Sequence, residues 1–163
     1  MEIPVSILFW LFAIGFSVHV VEESTVGGGF VNMVRSQFWP DYSHKRFFWF
    51  NAGCYIFFAG SIVAYELWAG VWIVLPLSFA WMLVTNGSWH VIGTAFSRRY
   101  SPGLITSPIY WILMYFLIRY SLLRGQIDMT HFVISIVIGA LVTALMIGSM
   151  LLMGRKRRMP TSR

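Results

Sequence analysis

Apolar stretches recur along this chain at lengths that match the thickness of a lipid bilayer. Five stand out: roughly Ile3 to Val21, Phe47 to Tyr65, Val71 to Phe96, Leu104 to Leu122 and His131 to Met153. A helix rising ~1.5 Å per residue needs ~20 residues to cross a ~30 Å hydrocarbon core, so each run is close to or above that length. With 58% of residues hydrophobic and 11% charged, too little polar sequence remains to coat a water-soluble core. The expected fold is all-α, a polytopic membrane helix bundle of five transmembrane helices. Residues 1–154 form its single domain, and 155–163 form a basic tail. No Lys or Arg precedes the first run and no small-residue cleavage site follows it, so it is expected to be a retained helix.

Positive charge orients the bundle, because Lys and Arg collect on the cytoplasmic side. With the N-terminus outside, Arg35, Lys45, Arg46, Arg98, Arg99 and the Arg155 to Arg158 cluster all fall inside, and only Arg119 and Arg124 fall outside. The expected location is the plasma (inner) membrane, multi-pass, with the C-terminus cytoplasmic. The formal charge of +6 is then mainly an orientation signal. The tail can attract anionic membrane lipids, whereas nucleic-acid binding is not expected of so short a basic segment after a membrane helix. Cys54 is the sole cysteine, which excludes an internal disulfide and any multi-cysteine metal site.

The first run ends unusually for a membrane helix, on His19, Glu22 and Glu23. On a helix His19 stands three and four residues before the carboxylates, so an imidazole and at least one carboxylate share a face. Two carboxylates at a helix C-terminus meet the unfavourable end of the macrodipole and repel each other, which a nearby cation would relieve. The outside-in topology brings further polar residues to the same depth. Asn86 and His90 lie in the inner half of the third run, and Asn51 lies one turn into the second. Ionisable groups inside a span cost roughly 2.5–3.5 kcal/mol on insertion scales and mark functional sites.

The pattern His19-x-x-Glu22-Glu23, then His90, then Tyr100-Ser101-Pro102-Gly103, resembles a family of small bacterial integral membrane proteins named for the His-x-x-Glu-Glu motif. All three elements occur in the family's order, from the first helix to the start of the fourth. The resemblance implies a membrane protein and supplies no established reaction.

Three kinds of chemistry fit these residues. In the first, His19, Glu23 (or Glu22) and His90 ligate a divalent metal, zinc or iron. Two imidazoles, one carboxylate and an open position suit a catalytic site, with the remaining Glu as base. In the second, Glu22, Glu23, His19 and His90 act without metal as acid and base, one carboxyl protonated and the other ionised, in isomerisation or cyclisation of an isoprenoid-type substrate. Trp81, Trp89, Tyr110 and Trp111 would then line a cavity and stabilise a cation, although such rings are common at membrane interfaces. In the third, the chain is a small proton or ion transporter or a membrane interaction protein, with His19 and Glu22 as a relay. The absence of internal repeats and the one-sided polar cluster speak against transport.

The leading expectation is an integral membrane enzyme whose cytoplasm-facing site carries out hydrolytic or related metal-dependent chemistry. Its substrate would be a hydrophobic or amphipathic, lipid-like molecule entering from the inner leaflet. Asn51, Asn86, Trp89 and Tyr100 are the expected substrate contacts. Among the remaining features, Tyr100 to Gly103 reads as a tight turn beside the site. Gly27-Gly28-Gly29 reads as a flexible exit, and Phe30 to Trp39 as an interfacial cover. Pro76 and Pro108 are expected to kink the third and fourth helices, and Asp128 with His131 to begin the fifth in solvent. The sequon at Asn86-Gly87-Ser88 lies inside a membrane run, and the nine methionines read as packing or lipid-facing residues.

Overall fold

The structure, a computed structural model, describes residues 4–156, so the basic tail from 157 onward lies outside the described residues. The described chain is helical with no strand: α1 (Val5–Thr25), α2 (Phe30–Gln37), α3 (His44–Trp68), a 3₁₀ turn (Gly70–Ile73), α4 (Val74–Ser97), α5 (Ser107–Leu117) running on through a π turn (Ile118–Leu122), and α6 (Met129–Lys156). Four segments, Val5–Thr25, His44–Trp68, Gly70–Ser97 and Met129–Gly154, are long and apolar enough to cross a membrane. The fourth run is shorter than its hydropathy suggests. Its helical part, 107–122, spans about 24 Å at ~1.5 Å per residue, because residues 101–106 wrap around a side chain of α1 before α5 begins.

Neither proline stands in the middle of a helix, where a kink was expected. Pro76 lies in the first turn of α4, and Pro108 lies at the start of α5. Helix N–H groups in a first turn have no intrahelical partner, so a proline there breaks nothing. Asp128 caps α6 as expected: its Oδ1 accepts from the backbone N–H of Thr130 at 2.8 Å and of His131 at 3.3 Å. Those bonds hold its exposed carboxyl below the usual range.

Along α1 the buried stripe runs Val5, Leu8, Phe9, Phe12, Ala13, Phe16 and then His19, Glu22 and Glu23. The helix turns the same face inward throughout, but the chemistry of that face changes over its last two turns. The opposite face, Ile7, Leu11, Ile14, Val18 and Val21, is apolar and exposed. α4 repeats the device, with Leu77, Ala80, Leu83 and Gly87 leading to His90. Gly87 matters for packing, since a Cβ there would stand 3.2 Å from both Ser107 Cβ and Tyr110 Cδ2 of α5.

In lipid the hydrophobic effect does not drive helix against helix, so close packing and hydrogen bonds, each averaging ~0.6 kcal/mol, must do so. α6 lies along α4 in that manner. At Gly139 an added Cβ would sit 2.6 Å from the Ser78 carbonyl oxygen. One turn on, Thr143 donates to the Met82 carbonyl at 3.3 Å. α1 packs on α3 and α5, and α4 packs on all the other long helices.

Candidate functional site

The two buried stripes converge at one end of the bundle. His19 and His90 are each 1% exposed and Glu23 is 6% exposed. Glu23 Oε1 stands 3.7 Å from His19 Nε2 and 3.4 Å from His90 Nε2. One ligand atom from each of the three lies within 4.8 Å of the others. Asn86 Nδ2 is 3.4 Å from both Nε2 atoms. Two imidazole nitrogens, a carboxylate oxygen and an amide thus surround one small volume.

Glu22, the neighbour in sequence, does something different. Its side chain reaches across to the loop between α4 and α5, where Oε1 accepts from the Tyr100 hydroxyl, from Gly103 N at 3.1 Å and from Ile105 N at 2.9 Å. Oε2 accepts from Thr106 N at 2.8 Å and Thr106 Oγ1 at 2.5 Å. A carboxylate with ~4 lone-pair sites is fully occupied by such a set. The relief expected from a cation comes instead from the backbone N–H groups at the N-terminus of α5, a favourable place for an anion. Tyr100 is accordingly a loop anchor, with its hydroxyl pushed well above the usual tyrosine range by burial and by Glu22.

This anchoring fixes the imidazoles. Thr106 Oγ1 gives its single proton to Glu22, so it accepts from His19 Nδ1, 2.7 Å away. His19 therefore carries its proton on Nδ1, and its Nε2 lone pair faces Glu23 and His90. His90 Nδ1 pairs with Ser101 Oγ at 3.0 Å, leaving Nε2 on the same side. Ligating histidines are held in this way, the far ring nitrogen bonded to a second group that sets tautomer and orientation.

Gly103 closes the floor. Its φ of +102° suits glycine, and a Cβ there would stand 2.7 Å from His19 Cε1, 3.0 Å from His90 Nε2 and 3.1 Å from His19 Nε2. Phe30, at the start of α2, covers the site edge-on, 6.2 Å between its ring centroid and that of His90. The glycines before it, Gly27, Gly28 and Gly29, all adopt positive φ, and the Tyr100 ring lies directly on Gly27.

Of the expected contacts, Asn86 and Trp89 border a cavity of about 450 Å³ that reaches His90. Asn51 does not join them. Its amide donates to the Phe47 carbonyl at 2.9 Å, and it lines a separate cavity of about 400 Å³ beside α1. It has the expected depth but the wrong azimuth on α3. Trp81 packs on Phe132, 5.5 Å between centroids, and Trp111 donates to Ser88 at 3.3 Å. Of those four rings Tyr110 alone packs on an imidazole, 5.3 Å between its centroid and that of His19. Sequence reading missed Thr106. A hydroxyl just before a helix is a capping signal, and nothing local marks it as the partner of a histidine 87 positions away.

The site's residues coincide with a known sequence pattern. A family model described as "protein of unknown function with HXXEE motif" matches residues 10–118, which takes in α1 to α5 and leaves out α6. No curated protein and no solved structure matches the chain. The match covers well over half of the sequence and includes every residue that surrounds the His–Glu–His cluster, so the chain belongs to the HXXEE family.

Proposed function

We propose that this protein is a membrane-embedded enzyme in which His19, Glu23 and His90 hold a divalent metal, zinc or iron, for hydrolytic or related chemistry on a lipid-like substrate. The observation that carries the reading is the convergence of two Nε2 lone pairs on one buried carboxylate oxygen, at 3.4 and 3.7 Å. Ligands bonded at ~2.0–2.2 Å around a tetrahedral zinc stand about 3.3 Å apart, so two of the three separations are already close to a bound geometry. A metal there would make bound water a nucleophile near neutral pH and polarise a carbonyl or phosphoryl oxygen. The chain's own residues orient the imidazoles through Thr106 and Ser101, exclude water under Phe30, and offer Asn86 as a donor.

Glu22 is not available as base, since its oxygens accept from five donors. Of the two carboxylates only Glu23 is left with room to take up a proton. The same occupancy weighs against a metal-free carboxylate pair. One acid–base variant keeps support, because His19 bridges Glu23 on one side and Thr106 on the other and can relay a proton between them.

The proposed topology has five crossings, with the N-terminus outside and the site on the cytoplasmic side of the inner membrane. The fifth crossing is supported by the path of 107–126. Ser107 starts beside the site, whereas Gln126 lines a cavity at the far end with Pro4 and Glu66. Arg35, Lys45, Arg46, Arg98 and Arg99 all belong to the site's end, which supports its cytoplasmic placement.

The test is metal analysis of the detergent-purified protein. Near-stoichiometric zinc or iron in wild type and its loss in His90→Ala, with both proteins folded, is expected. A folded, metal-free wild type that cannot be loaded overturns the reading, and retained activity in that state would favour the His19 relay.

A further inference from the structure

The cavity that reaches His90 has an uneven lining. α4 supplies its floor through Asn86, Trp89 and His90, while α3 and α6 supply opposite walls. Those two helices both pack on α4 but hardly touch one another, so contact between them does not close the cavity. α2 and the following loop close the site's end through Phe30, Trp39 and Tyr42. The open side carries bulky apolar groups: Trp49 is 63%, Phe50 47% and Met153 50% exposed. A volume of about 450 Å³ is within the ~300–1,000 Å³ usual for small-molecule sites.

Among the described lining residues Arg46 bears the one fixed charge, and none is acidic. Its guanidinium lies 4.8 Å over the Trp39 ring and donates to the Asp41 carbonyl at 3.1 Å. It belongs to the first turn of α3, with His44 and Lys45 beside it and no acidic residue. Cations there oppose the helix macrodipole. Asp41 lies close by in sequence but does not line the cavity, so Arg46 is the charge the cavity itself presents. Tyr42 adds a donor. A tyrosine hydroxyl titrates at ~10, so it is protonated at neutral pH.

Resting on the reading of His19, Glu23 and His90 as the reacting centre, we infer that the substrate is a single-chain amphiphile with an anionic head, phosphate or carboxylate. It enters sideways between α3 and α6, places its chain against Trp49, Met146 and Met150, and sets its head between Arg46 and His90. The polar end of the cavity is the reacting end, and the apolar end opens towards lipid.

The test measures binding to the full chain in nanodiscs by native mass spectrometry and by tryptophan fluorescence. The probes are hexadecyl phosphate, palmitate, hexadecanol and inorganic phosphate, each with and without prior chelation. Hexadecyl phosphate or palmitate should bind saturably, hexadecanol at least tenfold more weakly, and inorganic phosphate not at all. Arg46→Gln should weaken the anionic amphiphile about tenfold, with Arg46→Lys between the two, and Met150→Trp should abolish binding by filling the cavity. Arg46 dependence that survives chelation supports this assignment even if no metal is ever found. Equal binding of hexadecanol, binding of phosphate alone, or indifference to both Arg46→Gln and Met150→Trp would overturn it and leave the metal reading untouched.

Discussion

Adjacent glutamates with opposite duties make the sharpest prediction. In Glu22→Gln one carboxamide oxygen can still serve the three donors at Oε1, but the amide nitrogen then faces Thr106 N–H, donor against donor. A buried N–H left without a partner costs ~1–3 kcal/mol, and the surviving bonds fall from charge-assisted to neutral strength, a loss of about 1 kcal/mol each. These terms sum to ~4–6 kcal/mol for a rigid loop, and relaxation of the loop should recover part of that, so a net destabilisation of at least ~2–4 kcal/mol is expected. Glu23→Gln removes only contacts at 3.4 and 3.7 Å to imidazoles. Because both imidazoles face Glu23 with unprotonated Nε2, no ion pair is broken, and the glutamine amide can donate to one of them. The net change should therefore stay within the ~0.5–1.5 kcal/mol of a single hydrogen bond. Reversible unfolding in mixed detergent micelles, followed by tryptophan fluorescence on metal-stripped protein, measures both. Glu22→Gln should unfold much earlier, whereas Glu23→Gln should unfold with wild type and fail to load metal. Equal loss in the two variants, or a Glu22→Gln within about 0.5 kcal/mol of wild type, refutes the division of roles.

Thr106→Val removes the acceptor of His19 Nδ1 and one donor to Glu22. Loss of such a supporting group should lower metal affinity ~10–100-fold, measured by competition with a chelator. Gly103→Ala puts a methyl about where the ion would sit, 3.0 Å from His90 Nε2, and forces an alanine to φ of +102°. Metal content should fall to background, and the melting temperature should fall with it. Tyr100 supplies a pH test. Its hydroxyl is held high by burial and by Glu22, so it contributes stability below the free-tyrosine pKa of ~10 that is lost as pH rises towards the raised value. Wild type should lose stability above pH ~10 more steeply than Tyr100→Phe, and parallel melting curves would contradict this.

Much of this molecule was legible because a membrane imposes few solutions. Apolar runs marked the helices, and helical spacing put His19 on one face of α1 with at least one of the two carboxylates. What the chain could not disclose locally was azimuth and saturation. Asn51 has the right depth but turns towards α1, since an almost uniformly apolar α3 gives no moment from which to read its rotation. Glu22 and Glu23 look alike in sequence, and only the fold of 100–106 around one of them separates the loop anchor from the carboxylate that faces both imidazoles. Pro76 reads as a kink because a helix start within an apolar run carries no polar signal, whereas Thr106 and Ser107 ahead of Pro108 did offer a capping signal for a helix start there. Thr106 and Gly103 acquire their roles through contacts to α1 more than 80 positions away in sequence.

The central claim is that His19, Glu23 and His90 share one ion. X-ray absorption spectroscopy of the protein loaded with a single equivalent of zinc tests it most directly. The account predicts a first shell of two imidazole nitrogens and about two oxygens at ~2.0–2.2 Å, with one imidazole lost in His90→Ala. A shell without imidazole, or one unchanged in His90→Ala, would contradict it.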